Sequence, residues 1–105
     1  MTDRELLKLA AIACSELRGE WRNNEDYFDG VLNRWNPLTD DGDALRLAIK
    51  LGVDLRIPCS PNQVFVQVGE RGQVPFVLER IDGNPISATR RAIVRAAAEI
   101  GKEME

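Results

Sequence analysis

Two groups of charged residues have types and spacings that could do chemistry. The first is a run rich in carboxylates, Asp40-Asp41-Gly42-Asp43. Carboxylates bind divalent cations, but an EF-hand calcium loop needs ligands at alternate positions and a distant Glu, and this run lacks both. Adjacent aspartates at the start of a helix also complement the positive end of its dipole. The pattern therefore favours a structural role over a metal site.

The second group is Arg90, Arg91 and Arg95, at the start of a predicted carboxy-terminal helix. Cations oppose the dipole at this end of a helix, and Arg91 and Arg95 repel each other one turn apart. This unfavourable electrostatic energy indicates that the arginines bind anionic partners. We expect internal pairs with the aspartates at 40–43 or exposure to solvent, with phosphate contacts to a nucleic acid as the alternative.

The composition argues against the common kinds of catalytic site. The chain has no histidine, which removes the most frequent general base and metal ligand and rules out a Ser-His-Asp triad. No glycine-rich phosphate loop, CxxC pair or nucleophile elbow is present. We predict a protein that is not an enzyme, with no catalytic, cofactor-binding or metal-binding residues. The net charge of −3 is also unlike that of a general nucleic-acid binder.

The 105 residues suffice for a single domain, 1–105. No apolar run is long enough to span a membrane, and the amino terminus does not resemble a signal peptide. We therefore predict a cytoplasmic location, with Cys14 and Cys59 as free thiols rather than a disulfide.

Two helices are predicted in the amino-terminal half. The first begins with a capping box formed by Thr2 and Glu5, and Gly19 is its expected end. Its expected buried face comprises Leu6, Ala10, Ala13, Cys14 and Leu17. The second has Thr39 as its expected N-cap and Gly52 as its end, and we expect most of it to be buried. Its expected polar stripe consists of Asp43, Arg46 and Lys50.

Three strands follow, because apolar residues alternate with polar ones from Val53 to Ile81. Pro58-Cys59-Ser60-Pro61 is the expected loop after the first strand, and Gly69-Glu70-Arg71-Gly72 is the expected hairpin turn before the third. Ser87 is the predicted N-cap of the last helix. The predicted fold is α+β, an antiparallel three-stranded β-meander packed with three helices in the order α-α-β-β-β-α.

The two faces of this predicted sheet differ in character. Helices are expected to cover the face that carries Val64, Val66 and Val68. The other face, with Phe65, Val77 and Ile81, is half apolar, so we expect part of it to be shielded from solvent. Residues 20–38 or a second copy of the chain, in a homodimer, would supply it.

The segment 20–38 is rich in aromatic residues, which are Trp21, Tyr27, Phe28 and Trp35. Long irregular segments in compact domains are either functional or packed by their own side chains. The rings either cover part of the sheet or form an anchor surface for a partner.

Two motifs carry a family resemblance. These are Trp35 to Ala48, which reads WNPLTDDGDALRLA, and Ala88 to Gly101, which reads ATRRAIVRAAAEIG. Together with the amino-terminal helix they resemble the phage ABA sandwich domain family, small phage and prophage proteins related to NinX-like proteins. The resemblance implies an α/β/α sandwich with helices on both sides of the sheet, a phage or prophage origin, and action inside a bacterial host cell. It implies no activity.

Three hypotheses for function follow. The preferred one is a phage accessory protein that binds a host or phage protein, through the aromatic residues or the three arginines. The second is a nucleic-acid-binding module, since α-β-β-β-α resembles the element order of double-stranded RNA-binding domains. It requires Arg90, Arg91 and Arg95 to form a basic face with Arg71 or Arg80. The third is a protein that sequesters a small molecule or nucleotide in a pocket beside Trp35 and Arg90.

Overall fold

The computed structural model describes residues 2–13, 30, 33–60, 62–68 and 77–104. These ranges contain the helices and strands α1 (Asp3–Ala13), α2 (Asp41–Leu51), β1 (Val53–Ser60), β2 (Gln63–Val68), β3 (Val77–Arg80) and α3 (Pro85–Met104). The predicted α+β class, the order of elements and the three-stranded meander are confirmed.

The sheet has the order β1-β2-β3, and both neighbouring pairs are antiparallel. Leu55 pairs with Val66, which in turn pairs with Val77, so these three side chains share one face. Val64, Val66 and Val77 are buried there under the helices. The predicted covered face is therefore correct for the described residues of β2.

The prediction for the faces of β3 is wrong. Val77 does not share a face with Phe65, because its pairing with Val66 turns it toward the helices, where it is buried. Ile81 is also partly buried against the same core. Leu78 pairs with Phe65 and lies on the opposite face instead. Val77 and Leu78 point to opposite faces of β3, and both are apolar. The pairing register with β2, rather than the alternation of apolar and polar residues, therefore decides which of them is buried.

Strand β1 is longer than predicted, because it continues through residues expected to form a loop. It ends at Ser60, which pairs with Gln63, and its register shifts between Arg56 and Ser60. Pro58 lies within that irregularity. Proline has no amide hydrogen to donate, so it is tolerated at a bulge of an edge strand.

The helices pack around α3. This helix lies against β2 and β3, and both α1 and α2 pack on it. Within the described ranges, all three helices thus gather on the side of the sheet that carries Val64 and Val66. The second covered face that the resemblance implied stays a prediction.

Helix α1 begins with the predicted capping contact. The Thr2 hydroxyl accepts a hydrogen bond from the Glu5 amide at 3.1 Å and donates one to the Glu5 carboxylate at 3.1 Å. Burial extends further around the helix than predicted, since it also includes Leu7, Leu9, Ala11 and Ile12. On one side, α1 packs closely against α3, where Gly101 meets the backbone of Leu9.

Helix α2 differs from its prediction at its start and in its burial. Its N-cap is Asp40 rather than Thr39, since the Asp40 carboxylate accepts from the Asp43 amide at 2.9 Å. Gly52 ends the helix as predicted, with a φ of 66°. The expectation of a mostly buried helix is wrong, because Leu45 and Ile49 are 59% and 70% exposed. Asp43, which was placed on the polar stripe, is buried.

Helix α3 begins three residues earlier than predicted. Asn84 is its cap, because its side-chain oxygen accepts from the amides of Ile86 at 3.0 Å and Ser87 at 3.1 Å. Pro85 occupies the first helical position, where its missing amide hydrogen costs nothing. The prediction of Ser87 as the N-cap is therefore wrong.

Several predictions concern parts of the chain outside the described residues. These are the helix end at Gly19, the hairpin turn at Gly69–Gly72, the side chains of Cys14 and Cys59, and the aromatic residues Trp21, Tyr27 and Phe28.

Candidate docking groove

The structure places Arg90, Arg91 and Arg95 in ion pairs with carboxylates from three different elements. Arg90 Nη1 lies 2.6 Å from Asp41 Oδ1, and its Nε donates to the carbonyl oxygen of Leu38 at 2.8 Å. The expected pairing with the aspartates at 40–43 is thus found for Arg90.

The other two arginines pair elsewhere. Arg91 Nη1 lies 2.9 Å from Asp3 Oδ1 on α1, and Arg95 Nη1 lies 2.6 Å from Glu79 Oε1 on β3. The three arginines therefore link α3 by ion pairs to three elements: Arg90 to α2, Arg91 to α1 and Arg95 to β3. These carboxylates offset the local repulsion that the sequence showed.

The aspartates at 40–43 organise the start of α2. Asp43 accepts hydrogen bonds from the Asn36 amide at 2.9 Å and from Arg46 Nη2 at 2.8 Å. Asp40 caps the helix, and Asp41 holds Arg90. Each carboxylate thus has a structural contact. Among the described residues, no group of three or more acidic, cysteine or histidine side chains is arranged to hold a metal ion.

Trp35 is the aromatic residue of the predicted anchor surface that the structure describes. It is partly buried and packs against the core beside the turn that leads into α2. The two predicted roles of Trp35, cover for the sheet and anchor for a partner, stay predictions. Trp21, Tyr27 and Phe28 keep their predicted roles untested, since they lie outside the described residues.

An open apolar groove lies between α2, β1 and the first turns of α3. Its volume is about 340 Å³. Among its lining residues, Ala44 and Ile93 are buried and Leu55 packs against the core. We call this surface, lined by Asp41, Ala44, Leu45, Leu55, Ile57, Pro85, Ile86, Thr89, Arg90 and Ile93, the docking groove.

Exposed aliphatic side chains surround the docking groove. Leu45, Ile57 and Ile86 line it and are 59%, 48% and 57% exposed. Ile49, 70% exposed, follows Leu45 by one turn of α2 and so extends the apolar surface along the helix. Single exposed apolar side chains are common, but a contiguous group around a concave surface is typical of interaction sites.

The polar groups of the docking groove are already engaged with one another. Arg90 is held by Asp41 and by the Leu38 carbonyl oxygen. The Thr89 hydroxyl donates to the Pro85 carbonyl oxygen at 2.7 Å. The groove therefore presents mainly hydrocarbon to a ligand.

Sequence reasoning missed this groove, although part of its signal was present. Leu45 and Ile49 stand one turn apart on α2, outside its predicted polar stripe. The narrow polar stripe of that helix made full burial the simpler interpretation. Only the position of α2 beside α3 and β1 shows that these two side chains are left outside the core.

The fold and the site define the class of protein: an α+β domain with a three-stranded meander and an apolar groove at one side of its helical layer. No protein-family model, curated protein or solved structure matches the chain. The resemblance to the phage ABA sandwich domain family therefore stays a prediction. Among the described helices, none is long and apolar enough to cross a membrane.

Proposed function

We propose that this protein is a binding module rather than an enzyme, and that its docking groove receives an aliphatic segment of a partner protein. The observation that carries the proposal is the group of exposed side chains Leu45, Ile57 and Ile86 around a concave apolar surface. Burying such side chains against a partner removes apolar area from water, which contributes about 25 cal/mol per Å².

The size and lining of the docking groove indicate the chemistry of this partner. Its volume of about 340 Å³ lies near the lower end of the range for ligand pockets, roughly 300–1,000 Å³. Since Thr89, Arg90 and Asp41 are bonded to neighbours, few polar atoms remain to orient a nucleotide or a sugar. A short segment with leucine, isoleucine or valine side chains fits this lining best.

The origin and location of the partner are part of the same proposal. The resemblance to the phage ABA sandwich domain family supports a phage or prophage accessory protein that acts in the cytoplasm of a bacterial host. On that view the aliphatic segment belongs to a host or phage protein.

The two alternative functions receive less support. The nucleic-acid hypothesis needs a shared basic face, whereas Arg90, Arg91 and Arg95 each pair with a different element. The small-molecule hypothesis gains a groove beside Arg90, but Arg90 already holds Asp41, and Trp35 packs against the core. An apolar ligand would suit this groove better than a nucleotide.

A peptide-display selection on the folded protein tests the proposal. We expect enriched peptides to contain closely spaced aliphatic residues. Leu45→Glu and Ile86→Glu should weaken binding of an enriched peptide by at least roughly tenfold, equivalent to about 1.4 kcal/mol. Each substitution places a charge against the apolar lining, and both positions are exposed, so the fold should survive.

The matched control is Leu78→Glu, because Leu78 is 41% exposed on the opposite face of the sheet. This variant should bind the peptide as the unmodified protein does. Circular dichroism and thermal melting would confirm that all three variants are folded. Enriched peptides that bind Leu45→Glu and Ile86→Glu at full strength would refute the docking groove, as would a selection that enriches no peptide.

A further inference from the structure

The outer edge of β1 has a self-complementary pattern that the docking groove does not explain. β1 is an edge strand, and its only strand neighbour in the described part of the chain is β2. The segment 53–57 therefore presents one row of backbone amide and carbonyl groups away from the sheet. Such an edge is a template for pairing with another strand.

We propose that this edge pairs antiparallel with β1 of a second copy of the chain, about a two-fold axis at Leu55. The pairing would join two three-stranded sheets into one continuous sheet. It shares Leu55 and Ile57 with the lining of the docking groove, but its charged residues, Asp54 and Arg56, lie outside that lining and allow the two proposals to be tested apart.

The side chains of β1 select this register. The two-fold axis is perpendicular to the sheet, so both helical layers lie on the same side of it. Residues that pair across the axis must then come from the same face of β1. Odd-numbered residues therefore pair with odd-numbered ones, and even-numbered residues with even-numbered ones. With the axis at Leu55, Asp54 of each copy lies opposite Arg56 of the other. Opposite charges facing each other across strands stabilise a sheet, whereas like charges destabilise it.

The neighbouring registers are unfavourable for the same reason. An axis at Asp54 places the two Asp54 carboxylates opposite each other. An axis at Arg56 does the same with the two guanidinium groups. Only the register centred on Leu55 gives two complementary charge pairs among these three choices.

The charged side chains are exposed to solvent and can reach these contacts. Asp54 and Arg56 are 57% and 67% exposed, and their contact within the strand is long, at 3.9 Å. Arg56 also lies over the Phe65 ring, with its guanidinium carbon 5.5 Å from the ring centroid. Phe65 lies on β2, so the exposed guanidinium turns from this ring toward the outer edge of β1 when it meets the opposing carboxylate.

The apolar side chains and the ends of the segment agree with this register. On the face of the sheet that carries the helices, Val53 would lie opposite Ile57 of the other copy. Ile57 is 48% exposed in the isolated chain. The paired segment is bounded by Gly52, whose φ of 66° leaves the strand conformation, and by Pro58, which has no amide hydrogen. Each of the five residues 53–57, which lie between Gly52 and Pro58, has a backbone amide hydrogen.

Charge exchange between variants tests the proposal by sedimentation equilibrium over a concentration series. We expect the unmodified protein to dimerise. Arg56→Asp should place four carboxylates around the axis, and Asp54→Arg should place four guanidinium groups there. Each variant alone should dimerise more weakly by roughly tenfold or more, about 1.4 kcal/mol.

Mixing these two variants should restore association, because the mixed pair has complementary charges at both positions. The control variant Arg80→Asp makes the same charge change on β3, at the far edge of the sheet, and should leave dimerisation unchanged. Three results would overturn the proposal: an unmodified protein that stays monomeric, single variants that dimerise normally, or a mixture that does not form the heterodimer. Peptide binding in the docking groove should persist in Arg56→Asp, so the two proposals can fail separately.

Discussion

Gly101 on α3 lies directly against the backbone of Leu9 on α1. A Cβ atom at position 101 would overlap the Leu9 carbonyl oxygen and come within 2.7 Å of its carbonyl carbon. The obstacle is backbone rather than a movable side chain. This close approach excludes water from the side of α1 that faces α3.

Replacing Gly101 by alanine should therefore destabilise the protein. Overpacking of this kind costs about 1–3 kcal/mol, even though alanine favours a helix more than glycine does. We expect a lower midpoint in urea unfolding, with an unchanged slope.

Gly42→Ala is the matched control for that measurement. A Cβ atom at position 42 would lie 3.2 Å from Arg46 Nη2 and 3.2 Å from Asp40 Oδ1, the far ends of side chains. Arg46 is 72% exposed and can move aside, whereas displacing Asp40 would weaken the cap of α2, so Gly42→Ala should cost at most about 1 kcal/mol. If Gly101→Ala were as stable as Gly42→Ala, the close contact between α1 and α3 would be wrong.

The ion pair between Arg95 and Glu79 should contribute to stability, because it joins α3 to the covered face of β3. The Glu79 side chain is only 17% exposed. Arg95→Met should cost about 1–2 kcal/mol, since it leaves a largely buried carboxylate without its partner. The double variant with Glu79→Met should cost less than the sum of the single changes.

A double-mutant cycle measured by urea unfolding checks this coupling. We expect a coupling energy of at least about 0.5 kcal/mol. The comparison pair is Lys102 and Glu99, which are 45% and 41% exposed and 3.5 Å apart, and exposed pairs of this kind contribute little. Equal coupling in the two cycles would contradict the role assigned to Arg95.

The cap of α3 offers a test that separates the structure from the sequence-based prediction. Asn84→Ala should destabilise the protein by about 1 kcal/mol, because two amides lose their acceptor. Asn84→Asp should keep most of the stability. Ser87→Ala should change the free energy of unfolding by less than about 0.5 kcal/mol. Thermal melting of the three variants decides the matter, and a larger loss for Ser87→Ala than for Asn84→Ala would favour the original prediction.

Local signals predicted much of this fold. The Thr2 and Glu5 contact, the stop at Gly52 and the three strands depend on neighbours in sequence, and the structure confirms them. The sequence predicts Thr39 and Ser87 as caps, whereas the nearby Asp40 and Asn84 cap the helices in the structure. Several cap-forming residues stand in each of these turns, so residue type alone could not identify the one whose backbone leaves the helix.

The parts that depend on packing could not be predicted in this way. Val77 and Leu78 are both apolar, and only the pairing with Val66 and Phe65 decides which of them is buried. Leu45 and Ile49 likewise have the residue types of a buried face. Their exposure follows from where α2 stands relative to α3 and β1, and the docking groove follows from the same placement.

The central claim is that the docking groove binds an aliphatic segment, and methyl NMR of the protein tests it most directly. A peptide enriched by the display selection is titrated into protein labelled at leucine and isoleucine methyl groups. We predict shift changes at Leu45, Leu55, Ile57 and Ile86, with Leu78 unaffected. Changes centred on Leu78, with the groove methyl groups unmoved, would contradict the account.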